Sequence, residues 1–389
     1  MRFLPLFATL LLGTAPALAA PCGGNFGGFI ADLKQEAVSG GHDSADVDRF
    51  FDPVRRDPAV LKADRAQGVF QKPFTNFAQH LISSNRLNTG RSKGQSYDAV
   101  FDQIEVEHGV SRGILLAFWA FETDFGGFQG DFNTLSALVT LAHDCRRPAL
   151  FRPQIFAALK LFEQGNFDPA RTTGAWAGEI GMVQMLPQDI LDNGVDGDGD
   201  GRVSLKTSAP DALMSGGRML RHLGWRAGEP WLHEVTVPDG LDWSMTGLRT
   251  TKTGAEWAAM GVRSRDGRLA QNLPANILLP QGRGGPAFIA YPNFRVLFEW
   301  NQSYTYVLTA AYFATRLEGA PVMALGNPDP GLSSSQMKQL QEKLAAHGYD
   351  VGKVDGILGA GTRAAVQDAQ QKLGMAADAW PTRELLGRL

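Results

Sequence analysis

Eight apolar residues in succession, Ile114-Leu115-Leu116-Ala117-Phe118-Trp119-Ala120-Phe121, lead directly into Glu122. Ser111 stands ahead of the run with the side-chain oxygen that an N-cap needs. Thr123-Asp124-Phe125-Gly126-Gly127 then supplies turn residues that end a helix. A helix that is apolar all round has no face to give to water. The surrounding chain must therefore enclose it on every side, and a carboxyl is fixed at its end. Ionising a carboxyl in apolar surroundings costs solvation free energy, so burial raises its pKa toward the range of a general acid at neutral pH. The same glutamate reads equally well as a helix-end residue paired with an arginine or capping a backbone group.

A second stretch, Ala175-Trp176-Ala177-Gly178-Glu179-Ile180-Gly181-Met182-Val183-Gln184-Met185-Leu186-Pro187, mixes glycines with apolar residues around one lone amide. Gly178 and Gly181 permit close approach of a backbone or a ligand. Gln184 is equipped to exchange hydrogen bonds with an N-acetyl group, or is a chance glutamine at a packed helix start. Further on, Asp196-Gly197-Asp198-Gly199-Asp200-Gly201-Arg202-Val203 opens like an EF-hand loop. Its ligand oxygens fall at alternate positions, with Arg202 contributing its backbone carbonyl, and glycine sits at the sharp turn. Thr207 stands where the bidentate glutamate belongs. A solvated acidic turn is the alternative reading.

The chain has 389 residues, too many for one compact core, so two or more domains are expected. A formal net charge of -3 gives no reason to expect nucleic acid or an anionic membrane as partner. Arg2, the apolar Phe3 to Leu12 and the small-x-small Ala17-Leu18-Ala19 form an export signal over residues 1–19. Pro21 before Cys22 argues against a lipid anchor, so the expectation is a soluble, exported protein, most simply periplasmic. No later apolar run is long enough to cross a bilayer. Cys22 and Cys145 are the only cysteines left after signal removal, and are either bridged or two free buried thiols.

Gly326-Asn327-Pro328-Asp329-Pro330-Gly331 followed by Ser333-Ser334-Ser335 is linker chemistry. It divides a large domain, residues 20–325, from a small module at 336–389, with 326–335 between them. In the module Met337, Leu340 and Leu344 have helical spacing behind a serine cap, and Thr362 is expected to cap a second helix. A fainter echo follows at Asp378, Thr382-Arg383 and Leu385-Leu386.

The string LQEKLAAHGYDVGKVDGILGAGTRAAVQDAQQKLG, with its intact D-G-x-x-G-x-x-T turn, resembles the three-helix peptidoglycan-binding domain, except that Asp378-Ala379 replaces the usual Asp-Gly. The large domain resembles the lytic murein transglycosylase B family. The match runs in order through AFWAFETDFG, AWAGEIGMVQMLP, HLGWRAGEPWLHEV, EWAAMGV and PAFIAYPNFRVLFEWNQSYTY. This resemblance implies a mainly α chain: a lysozyme-like helical transglycosylase domain followed by the small binding domain.

It further implies that Glu122 is the sole catalytic acid and base, with no cofactor for catalysis. The protonated carboxyl would donate to the MurNAc-β-1,4-GlcNAc oxygen, then take the proton of the C6 hydroxyl as that oxygen closes on C1, leaving a 1,6-anhydroMurNAc end. Gln184, Asn301 and Tyr306 fall on the family's substrate-contacting positions. Ala175 and Met182 depart from its usual serine and its usual tyrosine or histidine. The family's acidic loop takes its last ligand from the next helix, which makes Asp196, Asp198, Asp200, Arg202 and Asp211 the candidates for a structural calcium. Two other readings follow from the residues. A muramidase-type hydrolase would need Glu179 or Asp124 as a second carboxylate. A non-catalytic scaffold would use both domains only to hold glycan.

Overall fold

The computed structural model describes residues 21–66, 73–265, 267 and 269–389. The export-signal pattern at residues 1–19 lies outside the described residues. Seventeen α-helices among the described residues make the chain mainly helical, and it divides into two compact units.

One unit comprises residues 21–64 together with Phe132–Gly178. Its helices Phe26–Ser39, Ser44–Phe51, Thr134–His143 and Pro148–Glu163 enclose Phe29, Leu33, Phe50, Leu138 and Ile155. A two-stranded antiparallel ribbon pairs Phe132–Asn133 with Thr173–Gly174. Cys22 and Cys145 form a disulfide across a sequence separation of 123 residues. Of the two states open from the sequence, the bridged one is present.

The other unit comprises Arg65–Asp131 and Glu179–Leu389. Its centre is helix Arg112–Thr123, in which every residue from Gly113 to Ala120 is buried, as a helix apolar on all faces requires. Ser111 caps it, its Oγ accepting from the Gly113 amide at 3.1 Å. Asp124 ends it in the left-handed conformation. The helix packs along Tyr304–Leu317, with Phe121 stacked on Phe313 at 5.1 Å. Gly113 permits this approach, because a Cβ there would sit 2.9 Å from the Ala314 carbonyl oxygen.

The sequence reading missed a five-stranded antiparallel sheet in this unit. Its order is Lys252–Thr253, Pro274–Leu278, Ala287–Ala290, Leu232–Thr236, Arg263–Ser264. Register is set by pairs such as Ile277 with Ile289 and Val235 with Ala287. The sheet shares a core with Trp257, whose indole N–H donates to the Ala275 carbonyl at 3.0 Å. Strands buried on this scale lose the alternation of apolar and polar residues, so their pattern looks like that of buried helix.

The last three helices, Ser334–Ala346, Ala360–Lys372 and Arg383–Arg388, close on Leu340, Leu344, Val366, Ala369 and Leu385. Ser333 caps the first with a capping box to Gln336, so that helix begins two residues before 336. Thr362 corrects the expectation that it caps the second. That helix starts at Ala360 behind Gly359, and Thr362 is buried inside it. Its hydroxyl donates to the Val351 carbonyl and accepts from the amide of Gln341. Gln341 in turn accepts from the Asp355 and Gly356 amides. The threonine of the D-G-x-x-G-x-x-T turn is thus a loop tie, which explains its place in the motif better than capping does.

Candidate active site

The Arg112–Thr123 helix delivers Glu122 at its last turn, where the side chain passes from the core to half-buried exposure. The Tyr306 hydroxyl donates to Glu122 Oε1, and the Trp300 indole N–H donates to the same carboxyl. These donors flank the break at 301–303 between helices Pro292–Trp300 and Tyr304–Leu317. Phe118, one turn before Glu122, stacks on Trp300 at 4.4 Å with the rings 6° from parallel. One segment therefore supplies both donors, and the buried helix aligns one of them.

Burial pushes the Glu122 carboxyl up to about 7. The Tyr306 and Trp300 hydrogen bonds oppose that rise by favouring the ionised form, and the Glu179 charge adds a smaller upward push. Burial, with the adjacent Glu122 charge, also pushes the Tyr306 phenol well above its ordinary value. Tyr306 therefore remains a donor throughout the working range of pH.

The loop at 180–185 lies beside the helix end. Ile180 and Met185 exchange backbone hydrogen bonds of 2.8 and 3.1 Å, folding Gly181 to Gln184 into a tight tip. Gly181 needs its positive φ of 80°, and a Cβ there would lie 2.5 Å from Leu205. Thr123 Oγ1 donates to the Met182 carbonyl at 2.6 Å and accepts from the Gly126 amide at 2.9 Å, tying the tip to the end of the helix that carries Glu122. Gln184 is held at φ 53°, with its amide nitrogen donating to the carbonyls of Gly181 at 2.7 Å and Gln129 at 3.4 Å. Two carbonyl neighbours fix which end is nitrogen. With both amide hydrogens engaged, the side chain is left with its oxygen as an acceptor.

Asn301 sits at the helix break, its Oδ1 accepting from the Ser303 amide at 2.9 Å. Tyr306 is buried, with its hydroxyl on the carboxyl. Asp124 is exposed and accepts from Arg86 Nε at 2.9 Å. Sequence reasoning missed Trp300 and Thr123 as partners. Trp300 immediately precedes Asn301 in the matched string, and that adjacency was the available signal.

The acidic loop brings together Asp196, Asp198 and Asp211, with ligand oxygens within 4.8 Å of one another. Asp211, 1% exposed, accepts from the Gly197 and Ser204 amides and from the Ser208 hydroxyl, and so braces the loop from the next helix. Asp200 is not in that group. Its carboxylate accepts from the Arg202 amide at 2.8 Å, and Arg202 is exposed. An all-oxygen, carboxylate-rich set fits a hard divalent cation of the calcium type.

The transglycosylase SLT domain family matches residues 25–315, and the peptidoglycan binding domain family matches 333–389. The chain belongs to the transglycosylase SLT domain family. Its architecture is the lysozyme-like helical fold of that family with a three-helix peptidoglycan-binding module behind it. Membrane-bound lytic murein transglycosylase B of Escherichia coli (strain K12) is 24% identical over 288 residues, covering 72% of this chain and 76% of that protein. SltB3 of Pseudomonas aeruginosa, solved in complex with NAG-anhNAM-pentapeptide, matches with a TM-score of 0.86 at 36% identity, covering 94% of this chain and 99% of that one. Slt35 of Escherichia coli, solved in complex with calcium, shares the fold at a TM-score of 0.65 and 22% identity, covering 78% of this chain and 98% of that one.

Proposed function

We propose that this peptidoglycan lytic transglycosylase uses Glu122 as its only acid and base. The observation that carries the reading is a carboxyl raised to about 7 by burial and gripped by two neutral donors at the end of a buried helix. Protonated Glu122 gives its proton to the glycosidic oxygen between MurNAc and GlcNAc, and the C1–O bond breaks. The carboxylate left behind takes the proton of the C6 hydroxyl as that oxygen bonds to C1. The carboxyl is restored, no water is consumed, and the product ends in 1,6-anhydroMurNAc. Holding nucleophile and electrophile in one sugar supplies the proximity that a bound water would otherwise need.

Gln184 presents an acceptor, suited to the N–H of an N-acetyl group or to a sugar hydroxyl. Asn301 and Tyr306 act from the helix break, and Tyr306 acts on Glu122 itself. Asp196, Asp198 and Asp211, with Asp200 and the Arg202 carbonyl on the same loop, would hold calcium as a structural ion that takes no part in bond cleavage. The C-terminal module holds the glycan. A disulfide between Cys22 and Cys145 suits an oxidising compartment such as the periplasm, and no helix among the described residues is long and apolar enough to cross a membrane.

The test is mass spectrometry of purified peptidoglycan after digestion by the protein and by Glu122→Gln. Anhydromuramyl products from the unsubstituted protein alone are expected. Reducing-end products would make the enzyme a hydrolase. Equal activity in the variant would remove Glu122 from the chemistry.

A further inference from the structure

The C-terminal module does not hang from a free tether. Asn327 donates from its amide to the Gly284 carbonyl at 2.7 Å, and the Trp380 indole N–H donates to the Asp329 carbonyl at 2.8 Å. Gln367, buried in the module's second helix, donates to the Trp243 and Thr246 carbonyls at 3.2 and 3.0 Å. Asp378 Oδ2 accepts from the Arg283 amide at 3.1 Å, and Arg249 Nη1 pairs with Asp368 at 2.8 Å. Polar groups buried along such a contact lose their water, and these hydrogen bonds compensate that loss only while the surfaces stay together.

Arg363, in the module's second helix, touches the segment that carries the groups on Glu122. Its Nη2 donates to the Pro280 carbonyl at 2.7 Å, and its guanidinium carbon lies 4.5 Å from the ring centroid of Tyr304. A guanidinium over an aromatic face and in a fork with a carbonyl fixes both partners in direction as well as distance. Tyr304 is the first residue of its helix and lies between the two groups that grip Glu122, four residues after Trp300 and two before Tyr306.

We infer that Arg363 is a positioning residue for the catalytic centre. By clamping Tyr304 it holds the Trp300–Tyr306 segment, whose indole and phenol orient Glu122, so the binding module completes the active site in addition to holding glycan. The inference rests on the Glu122 reading above. Arg363 touches neither Glu122 nor the reacting atoms.

The experiment compares full-length Arg363→Ala, Arg363→Lys and Arg249→Ala with the unsubstituted protein on a soluble peptidoglycan tetrasaccharide and on whole sacculi. For Arg363→Ala on the tetrasaccharide, kcat is expected to fall about tenfold with KM within about twofold, since a displaced donor is lost mainly from the transition state. The alkaline limb of kcat should move to higher pH, because the donors that favour ionised Glu122 are loosened. Arg363→Lys, which keeps the cation over the ring but not the fork, should fall between. Arg249→Ala, at the rim of the same contact, should keep tetrasaccharide kcat. A folded Arg363→Ala with unchanged tetrasaccharide kcat and pH profile, but reduced action on sacculi, would overturn the inference and leave the module as a holder only. If Arg363→Ala does not fold, an Arg363→Lys profile identical to the unsubstituted protein overturns it in the same way. Failure of the parent reading is seen separately, as activity retained by Glu122→Gln.

Discussion

Replacing Glu122 with glutamine should make the protein more stable, and more so as pH rises. Burial moves this carboxyl from an ordinary 4.5 to about 7, and the sign of the linkage follows from that direction. The folded-state value lies above the unfolded one, so the stability tied to the neutral carboxyl is fully present below pH 4.5 and is lost as pH rises through 7. At about 1.4 kcal/mol per pH unit, the span amounts to at most about 3 kcal/mol, a ceiling because water still reaches part of the side chain. Glutamine is nearly isosteric and neutral at every pH, so it escapes the loss. Chemical-denaturation midpoints of the two proteins should nearly coincide at pH 4.5, and the variant should unfold at clearly higher denaturant at pH 8. Activity should be lost in the variant at both. A midpoint gap that is equal at the two pH values, or larger at the lower one, would refute the claim that burial holds this carboxyl protonated.

Tyr306→Phe removes a hydrogen bond that favours the ionised carboxylate, so the alkaline limb of kcat should rise by about one pH unit while the plateau falls about tenfold; a limb that drops or stays refutes the assigned role. Glu179→Gln removes a minor upward push on Glu122, so the limb should move down by a fraction of a pH unit with anhydromuramyl products retained, as read by kcat profiles and mass spectrometry. Calcium at about one hundred times its dissociation constant should stabilise the protein by about 2.7 kcal/mol, and Asp211→Asn should abolish the gain measured by thermal unfolding with and without chelator. Ala379 sits at φ 60°, where an L side chain is strained. Ala379→Gly should therefore raise the denaturation midpoint, by about 1 kcal/mol of stability. A lower midpoint would show that the alanine methyl matters more than the backbone.

The helix that carries Glu122 was legible because its signals agree. Ser111 has the chemistry of a cap, eight apolar residues forbid an exposed face, and the turn residues after Glu122 stop the helix where the structure stops it. The sheet at 232–290 was not legible, since strands such as Ala287–Ala290, buried on both faces, carry no two-residue period. Nor was the loop geometry around Gln184. Its amide donors are spent on Gly181 and Gln129, and only the folded loop shows that the oxygen is what remains. The spacing of the acidic loop, with the family resemblance for Asp211, put Asp196, Asp198 and Asp211 forward together, and the folded loop gathers those three carboxylates, whereas the turn of Asp200 toward the Arg202 amide has no signal in the sequence. The D-G-x-x-G-x-x-T motif was visible as a string, whereas the tie from Thr362 to Gln341 and Val351 depends on packing between helices.

The number of carboxylates at the site bears most directly on the reaction. A second catalytic carboxylate must stay ionised while Glu122 is protonated, and at the separations such pairs adopt it would be a leading cause of the raised value on its partner. Desolvation is instead the largest cause, and the Glu179 charge is the smallest of the four. Asp124 is directed elsewhere, exposed at the left-handed end of the helix and paired with Arg86. A carboxyl kept protonated by its own burial has to serve as acid first. Once it has given up that proton it is the best-placed base for what lies nearest, and a neighbouring hydroxyl on the same sugar needs no second residue to activate it. If Glu122 is the sole acid and base, as proposed, the apolar helix that keeps it protonated also leaves the C6 hydroxyl of the same sugar as a nucleophile that its carboxylate can serve without a second residue.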